Sequence, residues 1–375
     1  MKRIIFKLII ACIYIFALTG CEEDFLDKEP QTSKSLQSFG SVEEMRAYLN
    51  QFYSDESGDI IMGKDGGTDN QGIDPAGLVN DNYIVPSADG NWTDAYANIR
   101  TVNILLENNS IPEAESRHLV GEAHFWRSWQ YFQLLKRFGG VPIVQSVIPT
   151  NDDDLLKTPR SSRSETADFI IEDLDKAIAM MNAPEENRGN QWINKDVALA
   201  FKSRVALYEG TWEKYHAGTN FGMSGFNGSS YLKQAVDAAQ ILINSGRYGI
   251  WKGSEQSYTD LFIQEDLSSN REIIWWKEYN LQDQFVTRMM TIWGGYVTKD
   301  FIDTYLEADG NPIAVNSGDS PSSGTSYFWA TESDMHEDRD PRLTQTILLS
   351  SDIINDTEKQ NLPGNQSFSL TMRKY

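Results

Sequence analysis

The longest apolar pattern in this chain has helical spacing and covers nearly every face of the helix that it predicts. It runs from Glu113 to Phe138, and a helix that is apolar all round is normally buried. Ser110-Ile111-Pro112-Glu113 has the form of a capping box with proline in the first turn, and Gly139-Gly140 follows the last apolar position. The pattern therefore predicts a central buried helix over 113–138.

Four further segments each carry one apolar stripe, as in helices that bury a single face. They are, in chain order, Asn91 to Leu106, a segment from Ser162 and Glu165 that ends before Pro184, a segment capped by Asn194 that stops at Gly210, and Tyr231 to Ser245 followed by Gly246. Paired helices with small residues at contact positions are typical of stacked hairpins, although no strict period of about 34 residues is present. We therefore predict a mainly α fold of tetratricopeptide-like helical hairpins.

The segments between these helices predict long loops and a few short strands. Val141 to Val147 and Glu272 to Lys277 have the pattern of short strands. Three long polar stretches, Ser54 to Pro86, Ala217 to Ser230 and Asp309 to Thr325, predict loops. Loops of this length in a compact protein usually bind something or are disordered. We therefore look for ligand contacts in the loops.

The first twenty residues form a pattern that is separate from the predicted fold. Basic residues at positions 2, 3 and 7 accompany an apolar run from Ile4 to Leu18, which Thr19-Gly20-Cys21 follows. The run is shorter than the roughly 20 apolar residues that span a bilayer. It indicates a lipoprotein signal peptide over 1–20, with Cys21 as the lipidated residue that carries acyl chains such as palmitate. Residues 21–30 are then an acidic, lipid-anchored tether.

Composition narrows the classes of partner. The chain has 375 residues, 54 acidic and 33 basic side chains, a net charge of −21, ten Trp, sixteen Tyr and seventeen Phe. The acidic balance argues against nucleic acid, because binding to phosphates needs clustered Lys and Arg. The aromatic residues can bury a large core. The two cysteines are Cys12, in the predicted signal peptide, and Cys21, so no intramolecular disulfide is expected in the mature chain.

No pattern in the sequence points to a catalytic centre, a metal or a cofactor. His118 and His124 are six residues apart and so lie on different faces of their helix, and Asp65 to Asp69 matches only the start of a calcium loop. The run Asp334, His336, Asp338 and Asp340 is interpreted as a solvated charge run, and a metal ion there is the less favoured alternative. A catalytic pair of carboxylates, as in glycosidases, remains an open alternative, because the spacing of residues in the sequence does not report the distance between their carboxyl groups.

Eight motifs, in order along the chain, resemble those of the SusD/RagB family of outer-membrane lipoproteins. They are Cys21 to Asp27 with Pro30, Trp92 to Leu105, Glu122 to Ser128, Tyr131 to Pro142, Ala198 to Tyr208 with Gly210 and Trp212, Glu272 to Trp275, Phe301 to Tyr305 with Asp309-Gly310, and Asp340 to Leu343. Each motif alone is weak. Their common order is specific, and it spans nearly the whole mature chain.

The resemblance implies a cell-surface lipoprotein of Gram-negative Bacteroidota that is built on tetratricopeptide-like helices. Such a protein captures nutrients, usually glycans, and delivers them to a SusC-type TonB-dependent transporter. The acidic residues after Cys21 resemble the signal that sends lipoproteins to the cell exterior. Family members usually continue through a last helical hairpin, whereas this sequence stops at Tyr375. We therefore expect 31–375 to form a SusD-like domain without its last carboxyl-terminal helical segment, and part of its apolar face to be exposed.

Loop aromatics are the predicted ligand contacts, because sugar rings stack their C–H faces on Trp and Tyr. The loop candidates are Trp293, Tyr296, Tyr327, Trp329 and Tyr83. Trp276 is a further candidate from the predicted strand over 272–277, because alternation turns one of Trp275 and Trp276 inward and the other outward. Trp92, Trp126 and Trp129 are predicted to belong to the core. Two alternatives stay open: a peptide-binding role, as the RagB side of the family implies, and a surface hydrolase that uses the Asp334 to Asp340 run.

Overall fold

The computed structural model describes residues 39–55, 86–149, 152, 156–184, 191–222, 225–253, 258, 260–261, 264, 266–277, 299–312 and 338–348, together with three short strands beyond them. The described helices are α1 (Val42–Asp55), α2 (Gly90–Glu107), α3 (Glu113–Phe138), α4 (Arg163–Met180), α5 (Lys195–His216), α6 (Ser229–Ser245), α7 (Lys299–Asp303) and α8 (Pro341–Thr346). The strands are β1 (Ile347–Leu348), β2 (Ile353–Asn355), β3 (Glu358–Lys359) and β4 (Thr371–Met372).

Neighbouring helices pack against one another in sequence order. α2 and α4 both contact α3, α4 contacts α5, and α5 forms the next close pair with α6, while α1 also packs on α3. The two pairs of strands, β1 with β4 and β2 with β3, are short and antiparallel. The prediction of a mainly α fold of helical hairpins with a few short strands is confirmed. None of the helices among the described residues is long and apolar enough to cross a membrane.

Helix α3 has the predicted bounds and lies at the centre of the core. Phe125, Trp126 and Tyr131 on this helix are fully buried. The predicted capping box before it is wrong: Pro112 occupies the N-cap position without a side-chain hydrogen bond. The Ser110 hydroxyl instead donates to Phe39 O at 2.8 Å, so it holds the chain entering α1.

Helix α5 begins at the predicted Asn194 cap but continues past Gly210 to His216. The predicted stop at Gly210 is wrong, because this glycine serves the packing of α6 instead. A Cβ at this position would lie 2.8 Å from Leu232 Cγ and 2.9 Å from Leu232 N. Glycine at position 210 therefore lets the two helices of this hairpin approach closely.

The other caps agree with the sequence. Ser162 and Glu165 form the predicted capping box of α4, and Gly246 ends α6 in the left-handed conformation. Trp92 packs edge-on against Phe138, with 5.2 Å between ring centroids, as its predicted place in the core requires. Trp126 and Trp129 likewise belong to or pack against the core.

Neither of the two predicted strands forms. Residues 141–149 are irregular, because side chains from the helices take up hydrogen bonds that a partner strand would make. Tyr131 Oη accepts from Val144 N at 2.7 Å, and Asn103 Nδ2 donates to Val144 O at 3.1 Å. The 272–277 segment is a series of turns, which starts with Ile273 N donating to Asn270 O at 3.2 Å.

Candidate functional site

Trp276 is the one predicted ligand-contacting residue that falls within the described part of the chain. Its side chain is half-buried, and no hydrogen bond or ring contact joins it to another described residue. The remaining predicted residues lie outside the described residues: Tyr83, Trp293, Tyr296, Tyr327, Trp329 and the lipidation site Cys21. The exposed part of the Trp276 side chain is therefore a candidate ligand contact.

The adjacent Trp275 is turned toward the core. Its ring centroid lies 6.2 Å from that of Trp126 and 6.3 Å from that of Trp129, with nearly perpendicular planes. Trp276 is not among the residues that pack on this core. The two neighbouring tryptophans thus have different environments, although they do not lie in the predicted strand.

Three parts of the chain that are distant in sequence meet around Trp275. Trp275 Nε1 donates to Gln191 O at 3.2 Å, and Lys277 Nζ donates to Tyr53 O at 3.0 Å. The rings of Tyr53 and Trp192 are 5.2 Å apart. We call Tyr53, Trp192, Trp275 and Lys277 the loop-root cluster.

The loop-root cluster contains described residues that stand just before two parts of the chain with candidate aromatics. Tyr53 is close to the end of α1, just before 56–85, and Lys277 is the last described residue before 278–298. In sequence, Tyr83 belongs to the first of these segments, and Trp293 and Tyr296 belong to the second. The structure therefore brings the starts of both aromatic-bearing segments together beside Trp276.

A buried carboxylate lies beneath this cluster. Glu122 on α3 is fully buried; its Oε1 accepts from Arg46 Nη1 at 3.0 Å and from Tyr53 Oη at 2.8 Å, and its Oε2 lies 2.8 Å from Arg46 Nη1 as an ion pair without a hydrogen bond. The Arg46 guanidinium in turn lies 4.6 Å from the centre of the Trp192 ring. This chain of contacts holds Tyr53 and Trp192 in fixed orientations, which pre-organises the cluster.

Burial changes the ionisation of these groups. It raises the pKa of Glu122, whereas the charge of Arg46 opposes that change. Burial also raises the pKa of the Tyr53 hydroxyl, and the neighbouring Glu122 carboxylate raises it further. Tyr53 therefore stays protonated and keeps donating to Glu122 while its oxygen accepts from Ile193 N at 3.0 Å. The arrangement is that of a structural support, since all three polar groups are engaged with one another.

The interior of the helical scaffold contains a second ion pair. Arg127 donates to Asp173 through Nε at 2.7 Å and Nη2 at 2.9 Å, and through Nη1 to Asn103 Oδ1 at 2.8 Å. His124 Nδ1 lies 2.9 Å from Asp173 Oδ1. Burial alone would raise the pKa of Asp173, but hydrogen bonds from Arg127 and His124 hold it below its usual value. This network joins α2, α3 and α4.

The pKa of His118 is lowered from 6.5 to about 4, mainly by burial and also by the charge of Arg46. Between about pH 6.5 and pH 4, His118 is protonated in the unfolded chain but neutral in the folded chain. Stability is therefore expected to fall as the pH drops from about 6.5 to about 4, by about 2 kcal/mol for this group. Urea unfolding of the wild type and His118→Gln, which cannot titrate, measures the difference.

His216→Gln is the control for this measurement, because His216 lies in a different part of the scaffold. We expect it to keep the pH dependence of the wild type. If His118→Gln also loses stability as steeply as the wild type between pH 7 and pH 4.5, burial of a neutral imidazole at this position is contradicted.

The two histidines of α3 serve separate structural contacts. His118 Nδ1 accepts from Asn182 N at 3.1 Å, whereas His124 belongs to the Asp173 network. No three His, Cys, Asp or Glu side chains gather at metal-binding distance in the described segments. Asp340, at the end of the acidic run, caps α8 by accepting from Arg342 N at 2.9 Å. Asp334 and His336 lie outside the described residues, as does the Asp65 to Asp69 loop.

Comparison with known proteins identifies the family. Residues 24–207 match the family model SusD-like_3, described as "Starch-binding associating with outer membrane". The chain belongs to the SusD-like family. This family description is one of binding, in line with the prediction that the chain is not an enzyme.

Two curated SusD-like proteins of Formosa agariphila are similar to this chain. SusD-like protein P38 is 27% identical over 198 residues, which are 52% of this chain and 34% of that protein. SusD-like protein P2 is 24% identical over 226 residues, which are 54% of this chain and 43% of that protein. The matches thus span less than half the length of these relatives.

Solved SusD-like structures from Bacteroides fragilis share the fold. One matches with a TM-score of 0.63 and 23% identity, over 88% of this chain and 62% of its own. Another, described as a SusD-like carbohydrate binding protein, has a TM-score of 0.63 and 19% identity over 89% of this chain and 67% of its own. The resemblance inferred from the sequence motifs is confirmed.

Proposed function

We propose that this SusD-like chain binds glycans at the cell surface and delivers them to a SusC-type TonB-dependent transporter. In this proposal Cys21 carries the lipid anchor, 21–30 is the tether, and 31–375 holds the ligand on a helical scaffold. The observation that carries the proposal is the loop-root cluster, which brings Tyr53, close to the start of 56–85, and Lys277, just before 278–298, together beside the half-buried Trp276. The family description of starch binding at the outer membrane supports the same role.

The chemistry of the cluster suits a sugar. A pyranose presents apolar C–H faces and a rim of hydroxyls, so it binds to aromatic rings flanked by polar groups. Trp276 supplies a ring, and Tyr83, Trp293, Tyr296, Tyr327 and Trp329 are the further proposed contacts. Binding by such surfaces needs no titrating or nucleophilic group, which agrees with a chain that holds its ligand without changing it.

Trp276→Ala is expected to weaken binding of the glycan about tenfold, because it removes one stacking surface. Isothermal titration against starch, laminarin and xylan oligosaccharides measures the change. Trp276→Phe should retain most of the affinity, since it keeps an aromatic ring. Trp251→Ala is the positional control: this half-buried tryptophan lies outside the loop-root cluster. Equal affinities for wild type and Trp276→Ala would remove Trp276 from the site.

A peptide ligand is the second candidate, and the charge of the chain favours it. A net charge of −21 attracts cationic peptides. Titration with a lysine-rich peptide at low and high salt tests this alternative, because electrostatic attraction is screened as salt rises. Peptide binding together with no binding to any glycan would replace the first proposal with the second.

A further inference from the structure

The loop that joins α5 to α6 holds an aromatic ring out in the solvent. Phe221 is 71% exposed, although phenylalanine is usually buried. Its backbone is nevertheless fixed: Trp212 Nε1 donates to Phe221 O at 3.2 Å, and Phe221 N donates to Thr219 Oγ1 at 3.2 Å. A Cβ on Gly222 would lie 1.8 Å from His216 O, so the turn is closely packed. The exposed ring therefore extends from an ordered turn.

Two rings in this turn form a right-angled corner. The planes of His216 and Phe221 meet at 85°, with 6.4 Å between their centroids. His216 lies flat on Trp212 at 4.0 Å, and the Arg163 guanidinium also lies 4.0 Å from the Trp212 centroid. Both groups therefore lie over the same indole. Trp212 is thus a support, and His216 with Phe221 forms what we call the aromatic corner.

Polar groups flank the aromatic corner. His216 Nδ1 lies 3.0 Å from Trp212 O. A carbonyl oxygen can only accept, so Nδ1 carries a hydrogen, and in the neutral imidazole Nε2 is then an acceptor. Asn220 is exposed, and its amide makes no hydrogen bond to another residue in the described ranges. The corner thus has an acceptor on one of its rings, and the residue that precedes Phe221 in the chain carries an exposed amide that can both donate and accept.

We propose that the aromatic corner binds one neutral sugar residue of a glycan. The C–H face of the sugar stacks on Phe221, and its hydroxyls donate to His216 Nε2 and exchange hydrogen bonds with the Asn220 amide. The proposal rests on the glycan-binding function proposed above, and it assigns a second, separate contact. The loop-root cluster lies near the start of α5 at Trp192, whereas the corner lies at its end.

The distance between the two sites suits a polymer. Helix α5 has 22 residues, which corresponds to a length of about 33 Å at 1.5 Å per residue. A polysaccharide long enough to reach both sites gains avidity, because binding at one site raises the effective concentration at the other. A short oligosaccharide occupies one site at a time. The corner should therefore contribute most to the retention of long chains.

The test is native affinity electrophoresis of the full chain in detergent, with amylopectin, laminarin or xyloglucan in the gel. We first identify a glycan that retards the wild type. For this glycan, Phe221→Ala is expected to raise the apparent dissociation constant about tenfold. Phe226→Ala is the matched control: this phenylalanine is in the same loop and 43% exposed, but it does not belong to the corner. It should stay within about twofold of the wild type.

A second measurement reports on the corner directly. Titration with a short oligosaccharide of the same glycan is expected to shift the side-chain amide signals of Asn220 in the NMR spectrum, assigned by their loss in Asn220→Asp. Wild-type retention in Phe221→Ala, with unmoved Asn220 signals, would overturn the corner while leaving the glycan-binding function intact. If no glycan retards the wild type, both the aromatic corner and the proposed glycan-binding function are overturned.

Discussion

Replacing Arg127 with methionine is expected to lower the free energy of unfolding by about 3–5 kcal/mol, because it leaves a buried carboxylate without its main partner. The Arg127 side chain is only 4% exposed, and that of Asp173 is fully buried. Methionine fills a similar length but donates no hydrogen bond, so Asp173 loses both bonds from the guanidinium. Urea unfolding followed by circular dichroism at pH 7 measures the loss.

Arg137→Met is the matched control on the same helix. Arg137 also pairs with an aspartate, Asp89, at 2.8 Å, but its side chain is 50% exposed. Exposed pairs contribute little, so the control should lose less than about 1 kcal/mol. Adding Asp173→Leu to Arg127→Met should restore part of the stability, since it removes the unpaired charge. Equal losses at Arg127 and Arg137 would contradict a buried ion pair as a tie between α2, α3 and α4.

Cys21→Ala is expected to move nearly all of the protein out of the membrane fraction, because the substitution removes the proposed site of lipid attachment. Each buried methylene contributes about 0.8 kcal/mol, and two or three acyl chains together make anchoring stable. Cell fractionation followed by immunoblotting measures the distribution, and mass spectrometry of the wild type should show an acylated residue 21.

Cys12→Ala is the control for the anchor, since the chain has two cysteines and Cys12 lies in the predicted signal peptide. This variant should remain in the membrane fraction like the wild type. Retention of Cys21→Ala in the membrane, or an unmodified and uncleaved leader in the wild type, would show that the amino end has another role.

Helix ends were predictable where the chemistry that ends them is local. The box formed by Ser162 and Glu165, and Gly246 after α6, lie within a few residues of the helix ends that they define. Gly210 misled the prediction because its role depends on Leu232, which packs against it from another helix. Sequence alone cannot distinguish a glycine that ends a helix from a glycine that lets a second helix pack closely against the first.

The predicted strand around Val144 failed for a related reason. Short apolar segments fit strands and irregular segments alike, and the outcome depends on which groups satisfy their backbone. Here the partners are Tyr131, 13 residues away, and Asn103, 41 residues away. Helix α1 shows the opposite case, because its apolar residues Met45, Leu49 and Phe52 recur at helical spacing and are buried. This spacing indicates a helix, but α1 is not among the elements predicted from the sequence.

The candidate site was predictable in type but not in position. Trp276 was identified from the sequence as one of two adjacent tryptophans in a predicted strand, where alternation sends one inward and the other outward. Tyr53 and Trp192 were not identified from the sequence, because they belong to the site only through contacts with residues that are distant in the sequence. Tyr53 meets Ile193 and Lys277, which are 140 and 224 residues away. A single sequence does not report such contacts, whereas the family motifs indicated the fold that produces them.

Binding without conversion is the central claim, and one measurement tests it directly. The full chain is incubated with amylopectin, laminarin and xyloglucan; bound glycan is measured, and the chain length of the recovered polymer is determined by size-exclusion chromatography. We predict that at least one glycan binds and is recovered with its length unchanged. Shortened products, or no glycan binding while lysine-rich peptides bind, would contradict the account.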